Sequence, residues 1–456
     1  MEASMFNELK KMLSRSAVAG GLCIALTGLA TADVVTVTFQ EGSLGYDSCF
    51  DRYISDTGAD DADGDTVATK YLDGYAKDSS PDVQYLIRFD DIIGEDANQI
   101  PTNATILDAK ITLTTSLASN AHTGGPYGVA GLVAEFDSGT TYWDDFSSNT
   151  SMGSRGPWWQ DESATRPVGG FGGQMKGQRD SAPITPLVQS WVDSENYGMV
   201  VQAGLSDDVD APANTTDGWS IRTTGYPFSD SRPKLTVTYT TADIEINSFQ
   251  EGTDGYAGTT MAIIHSGNNA LIADADEDVN DGATFTEQTF LDGIMFSSID
   301  GVTSSPDLLT LIKFDGIFGT DEGQAPTDVP VAKAWLVITT GNTSTACQTV
   351  GPFSAYTMLR EWDMTSLHSS FGEVNGLQVG DGDISEALDT LDGFIRGAEV
   401  WFDVTDYVEG VRTGAADNGV AVQGDGTSDG WQIHTNGSDE VDARPRLVVY
   451  SGDLNS

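Results

Sequence analysis

At 456 residues the chain is too long for one ordinary core and fits two or three domains. Its 22 basic and 69 acidic side chains give a net charge of −47, which repels nucleic acid and anionic membranes and excludes both as expected partners. The 51 glycines, ample Thr, Val and aromatic content and scarce helical apolar periodicity indicate an all-β protein with many turns.

The N-terminal stretch differs from the rest. Lys10, Lys11 and Arg15 precede an uncharged, largely apolar run from Ala17 to Ala30, and Ala30-Thr31-Ala32 forms an A-x-A-like site before Asp33. Residues 1–32 therefore read as a secretory signal peptide, which places the mature chain outside the cell or at its surface. An N-terminal membrane anchor is the alternative, but the run is short for a spanning helix and ends in the small-residue site. Cys23 follows Leu22, which does not fit a lipoprotein signal. No stable membrane insertion is expected once the segment is removed. Cys49 and Cys347 then remain, at positions that do not correspond, so no disulfide framework is expected.

From Asp33 onward the chain says most things twice. "TFQEGSLGY" at Thr38 returns as "SFQEGTDGY" at Ser248, and "YLIRFDDIIG" as "LLTLIKFDGIFG" ending at Gly319. Ala109, Ile111 and Leu113 alternate with Lys110, Thr112 and Thr114, as Ala334, Leu336 and Ile338 do in the second copy, which marks a strand with one buried face. Phe89 and Phe314 should point into the cores, with Asp90 and Asp315 closing the strand ends. Leu187, Val188 and Trp191 recur at helical spacing before "NYG", the one expected helical turn. Both copies then carry "DGW" and close with "RPKLTVTY" or "RPRLVVYS". The reading is two tandem jelly-roll-like β-sandwich domains, 33–241 and 242–456, with insertions placed in surface loops.

The order of these segments resembles the DNRLRE-type domains of secreted bacterial proteins. The residues that carry the likeness are "RFD" (Arg88–Asp90) and "KFD" (Lys313–Asp315), "EFD" with "TTYW" (Glu135, Trp143), "EWD" (Glu361–Asp363), "VTDYV" at Val404, "NYG" at Asn196 and the closing "RPKLTVTY". The hexapeptide of the family name is absent, and "LHSSF" around His368 replaces a Thr-Trp position. The resemblance implies a jelly-roll sandwich similar to carbohydrate-binding modules, some of which bind acidic polysaccharides such as alginate, without catalysis.

Three sets of residues are candidates for chemistry. The first is a pair of acidic loops at corresponding places, with Asp60, Asp61, Asp63 and Asp65 in one and Asp274, Asp276, Asp278 and Asp281 in the other. Clustered carboxylates and loop carbonyls supply the six to eight oxygens that calcium takes, so calcium is the expected ion, although neither loop fits an EF-hand and a solvated acidic loop is the plainer reading. The second set is aromatic. Trp219, Trp431 and Trp191 fall at core positions. Trp158 and Trp159 lie in a Gly-rich stretch without a counterpart and form a sugar-stacking platform or pin their loop to the sandwich. Trp335 takes the parity opposite the core of its strand, as a second platform or as a contact between sandwiches. The third set is His122, His265, His368 and His434, none spaced for zinc. "QIH" at Gln432–His434 resembles a motif of jelly-roll alginate lyases, but its partner motifs are missing. The leading expectation is a secreted, non-catalytic polysaccharide-binding protein, partnered by a polysaccharide or a cell-envelope or matrix component. A structural or adhesive surface protein comes second, and a lyase or hydrolase third.

Overall fold

A computed structural model describes residues 34–454, except 57, 59–61, 74–81, 138, 140, 142–144, 146–156, 158, 205–217, 266–287, 292–307, 343–346, 364–365, 367, 372–376, 378 and 425–430. The expected signal peptide lies outside these residues. The described chain is all-β, built from antiparallel sheets with two short α-helices.

The first half contributes β1 (Val35–Gln40), β2 (Cys49–Ser55), β3 (Ala62–Asp63), β4 (Thr69–Leu72), β5 (Val83–Phe89), β6 (Thr105–Thr114), β7 (Tyr127–Gly131), β8 (Gly169–Phe171), β9 (Arg179–Pro183), α1 (Thr185–Asp193), β10 (Met199–Ala203), β11 (Trp219–Arg222) and β12 (Lys234–Thr240). The second contributes β13 (Glu245–Gln250), β14 (Thr259–His265), β15 (Gln288–Leu291), β16 (Leu308–Phe314), β17 (Val331–Thr339), β18 (Phe353–Met358), β19 (Ile384–Leu391), β20 (Glu399–Asp403), α2 (Thr405–Arg412), β21 (Val420–Gly424), β22 (Trp431–His434) and β23 (Arg446–Ser451).

Every sheet stays within one half, and the strand orders match. Sheet β1-β12-β6-β9 answers to β13-β23-β17-β20, sheet β3-β2-β5-β10-β7-β8 to β14-β16-β21-β18-β19, and the ribbon β11-β4 to β22-β15. In each half the two larger sheets enclose a core. Phe89, Ile111, Trp191 and Trp219 lie in the first, and Phe314, Leu336, Phe402 and Trp431 in the second.

The twice-written phrases are twice-built joints. Gln40 Nε2 donates to Arg232 O at 2.8 Å and Gln250 Nε2 to Arg444 O at 2.7 Å, which ties the first strand of each half to the last. Tyr46 Oη donates to Asp90 O at 2.9 Å, as Tyr256 Oη does to Asp315 O at 3.0 Å. Behind the "FDDIIG" and "FDGIFG" turns, Gln99 Nε2 reaches Asp91 O and Gln324 Nε2 reaches Gly316 O, both at 2.9 Å. These side-chain bonds supply partners for turn carbonyls that no ladder reaches.

The halves also touch each other. Trp335, Val337, Trp401, Val448 and Tyr450 project from the outer face of the second half's four-stranded sheet and pack with Leu107 of β6. Glu399 N donates to Pro167 O at 2.8 Å, and Arg166 Nη2 meets Glu440 Oε2 at 3.1 Å. The backbones come so close that a Cβ on Gly170 would stand 1.8 Å from Gly393 O, which only glycine permits. By sheet register the first half places Lys110, Thr112, Ser181, Thr236 and Thr238 where the second has Trp335, Val337, Trp401, Val448 and Tyr450, so the matching face is polar.

Candidate functional site

The tryptophans expected to stack on sugar occupy other roles. Trp335 is 3 % exposed and shares its cluster with Leu107, so the alternative of a contact between sandwiches holds and the platform does not. Trp159 is half-buried, packs on Ile395 and Ala398 of the second half, and carries the Arg166 guanidinium 4.4 Å over its ring. Its packing on the second half and the Arg166 cation over its ring correct its assignment as an open platform. Trp158 lies outside the described residues.

The acidic loops yield less than their composition suggests. Asp60, Asp61, Asp274, Asp276, Asp278 and Asp281 lie outside the described residues. Asp63 caps a short 3-10 turn by accepting Asp65 N at 3.1 Å, and Asp65 Oδ1 lies 2.9 Å from the Thr224 hydroxyl oxygen. Among the described residues no three His, Cys, Asp or Glu side chains come together as a metal donor set.

An aromatic knuckle in the first half, at the loop after β11, meets the requirements that the tryptophans miss. Its base is fixed by Asp51, 1 % exposed, whose carboxylate accepts Tyr85 Oη at 2.6 Å, Thr224 N at 3.0 Å and the Thr224 hydroxyl. Burial pushes the Asp51 carboxyl up to about 6, against the pull of its hydrogen bonds from Thr224 and Tyr85. Glycine at 64 is obligatory beside it, because a Cβ there would stand 1.7 Å from Asp51 Oδ1. Arg232 Nε donates to Tyr226 O at 2.7 Å, and the same bond recurs from Arg444 Nε to Ser438 O at 2.7 Å.

Held on this frame, Tyr226 and Phe228 present their rings 6.0 Å apart, with Phe228 67 % exposed. The Arg222 guanidinium lies 4.4 Å over the Tyr226 ring, and its Nε is buried without a hydrogen-bond partner. Arg179 donates through Nη2 to Asp230 O, two residues past Phe228. Neither arginine forms an ion pair with a described carboxylate. The corresponding positions of the second half are Ser438, Glu440, His434 and Glu399. Among the described residues, only the first half therefore carries this pairing of aromatic rings with arginines that lack a described carboxylate partner. Comparing "IRTTGYPFSDSRP" with "IHTNGSDEVDARP" would have exposed it in the sequence, since the aromatics fall where the other copy has Ser438 and Glu440.

His434 is fully buried, with Nδ1 2.9 Å from Ser438 Oγ and burial holding its ring pKa below the usual value. His122 is exposed, and the side chains of His265 and His368 lie outside the described residues. Cys49 and Cys347 are both buried, and the Cys347 thiol lies 3.1 Å from Gln432 Oε1. No family model matches the chain, and no curated protein matches its sequence.

Proposed function

We propose that the protein is a non-catalytic polysaccharide-binding protein of the cell exterior, and that its first half binds an anionic polysaccharide at the knuckle formed by Tyr226, Phe228, Arg222 and Arg179. The observation that carries this reading is the Tyr226–Phe228 ring pair, with Phe228 67 % exposed, beside two arginines that form no ion pair with a described carboxylate, in a chain of net charge −47. Elsewhere that charge repels an anionic polymer, so attraction must be local and short-ranged. Ring faces take the apolar CH face of a sugar, and guanidinium forks take its carboxylates. The likeness to DNRLRE-type domains agrees with this reading and does not carry it. Calcium at the loops around Asp60 and Asp274 belongs to the same proposal, as a stiffener of the frame.

Affinity electrophoresis through alginate, with a neutral glucan as control and with calcium or chelator present, tests it. Retardation by alginate alone, lost in Phe228→Ala and Arg222→Ala but kept in Trp159→Ala, is the expected result. Equal retardation of the variants, or none of the wild type, would overturn it. A structural or adhesive surface protein is the second reading, favoured by the placement of Trp159 and Trp335 in the contact between halves.

A further inference from the structure

Beside the 41–46 turn, the first half has an open groove of about 580 Å³. It runs along β1, which ends its sheet and pairs only with β12. Among the described residues no side chain or backbone group bonds the outer edge of Thr36–Thr38. Edge strands are usually blunted by charge, proline or a bulge, since their free N–H and C=O groups are a template for another strand. The segment "VTVTFQ" has none of these devices. In the second half a side chain bridges strand and loop at this place: Asn247 Nδ2 of β13 lies 3.5 Å from Gln324 O. Val37 stands at that position in the first half and has no polar group for such a bridge.

Two further residues mark the groove as more than a packing defect. Leu44 sits at its rim, 88 % exposed with φ of +53°, and Asp91 in its wall has φ of +57°. The second half uses Asp254 and Gly316 at these places, residues that tolerate left-handed backbone, whereas leucine pays for it and gains no burial. Backbone cost combined with apolar exposure at one rim is characteristic of a contact surface. Asp47, Asp91 and Asp96 line the groove and form no ion pair with a described Lys or Arg, and none of the lining residues is Lys or Arg.

We propose that the open edge of β1 and the groove beside it take up an extended polypeptide segment rich in basic side chains, which adds to the four-stranded sheet as a fifth strand. Main-chain bonds to β1 supply affinity, alternate lysines or arginines meet Asp47, Asp91 and Asp96, and Leu44 covers the apolar stems. The site is separate from the knuckle, and its occupant has the opposite charge.

The probe is a capped, fluorophore-labelled decapeptide of alternating Thr and Lys, read by fluorescence anisotropy against the purified protein at low salt. Three comparisons accompany it: a Thr–Glu peptide, a Thr–Lys peptide N-methylated at every second residue, and the variants Val37→Asn and Asp47→Asn/Asp91→Asn/Asp96→Asn. The expected result is saturable binding of the Thr–Lys peptide, none of the Thr–Glu peptide, and at least tenfold weaker binding after N-methylation or in either variant. Val37→Asn installs the strand-to-loop bridge already present in the second half, across the groove, and Asn tolerates the left-handed backbone at 91, so both variants should fold. N-methylated peptide bound as tightly as its parent would show bare charge attraction and sink the fifth strand. So would an unaltered affinity of Val37→Asn, or no binding of the Thr–Lys peptide.

Discussion

Asp51 is the residue on which the knuckle's geometry rests, and its protonation couples that geometry to pH. Its folded pKa, about 6, lies above the ordinary carboxylate value of 3.8, so the folded chain binds this proton more tightly than the unfolded one. Its contribution is therefore most favourable below about pH 4 and declines as pH rises through 6, by about 3 kcal/mol in all. Chemical denaturation of wild type and Asp51→Asn at pH 4, 5, 6 and 7 should show a falling stability whose 4-to-6 slope is shallower in the variant. Equal slopes would mean that Asp51 does not titrate there. Gly64→Ala should cost about 3 kcal/mol by overpacking, because the new methyl must displace the Asp51 carboxylate. A denaturant midpoint unchanged from wild type would contradict that close approach.

At the scale of elements, the loops that differ between the halves separate recognition from folding. Replacing Tyr226-Pro227-Phe228 with the Ser-Asp-Glu of residues 438–440 should abolish alginate retardation and leave the melting temperature within a few degrees, since both halves hold this loop by the same arginine bond. A collapse of stability would show instead that the rings are structural. The elements themselves were legible to different degrees. Alternation in β6 and β17 identified their core faces, and the helical spacing of Leu187, Val188 and Trp191 located α1. The period-two signal fails in β10, buried at all five positions, because Leu132, Phe136 and Ala164 cover the far side of its sheet and form a second apolar layer. Trp335 misled as a platform because parity tells which way a side chain leaves its strand, and Trp159 because a Gly-rich stretch without a counterpart reads as open loop; neither signal says what another part of the chain lays over the ring. The knuckle was missed because Tyr226 and Phe228 form no motif alone, and their meaning depends on a buried aspartate 175 and 177 residues earlier in the chain.

For the whole molecule, the contact between halves should govern how it unfolds. Trp335→Ala removes the largest apolar side chain of that contact and should cost about 3–5 kcal/mol. Calorimetry should then resolve two transitions where the wild type gives closer or merged ones, and a single transition with an unshifted midpoint would count against the packed contact. The contact also responds to acid. Burial, and then the charge of Asp180 in the other half, push the Asp392 carboxyl up to about 6, although it accepts the Gly172 N–H. The raised value means that this contact is firmest below about pH 4 and loosens as pH passes 6. Asp392→Asn should accordingly stabilise the protein at pH 7 and give no advantage at pH 4.

The unequal outer faces of the two four-stranded sheets determine where stacking stops. Many modular chains grow as arrays because each unit offers the next the same adhesive surface, and they need a polar terminal unit to end the series. Here the first half supplies that terminus. Where its neighbour has two tryptophans, two valines and a tyrosine, it has a lysine, a serine and three threonines, so the joint cannot be reproduced against a further copy. A heterologous joint that cannot recur yields a closed pair and no filament. Concentration should therefore not drive these chains end to end, and longer versions of such a protein would need a tryptophan-bearing face on every unit added.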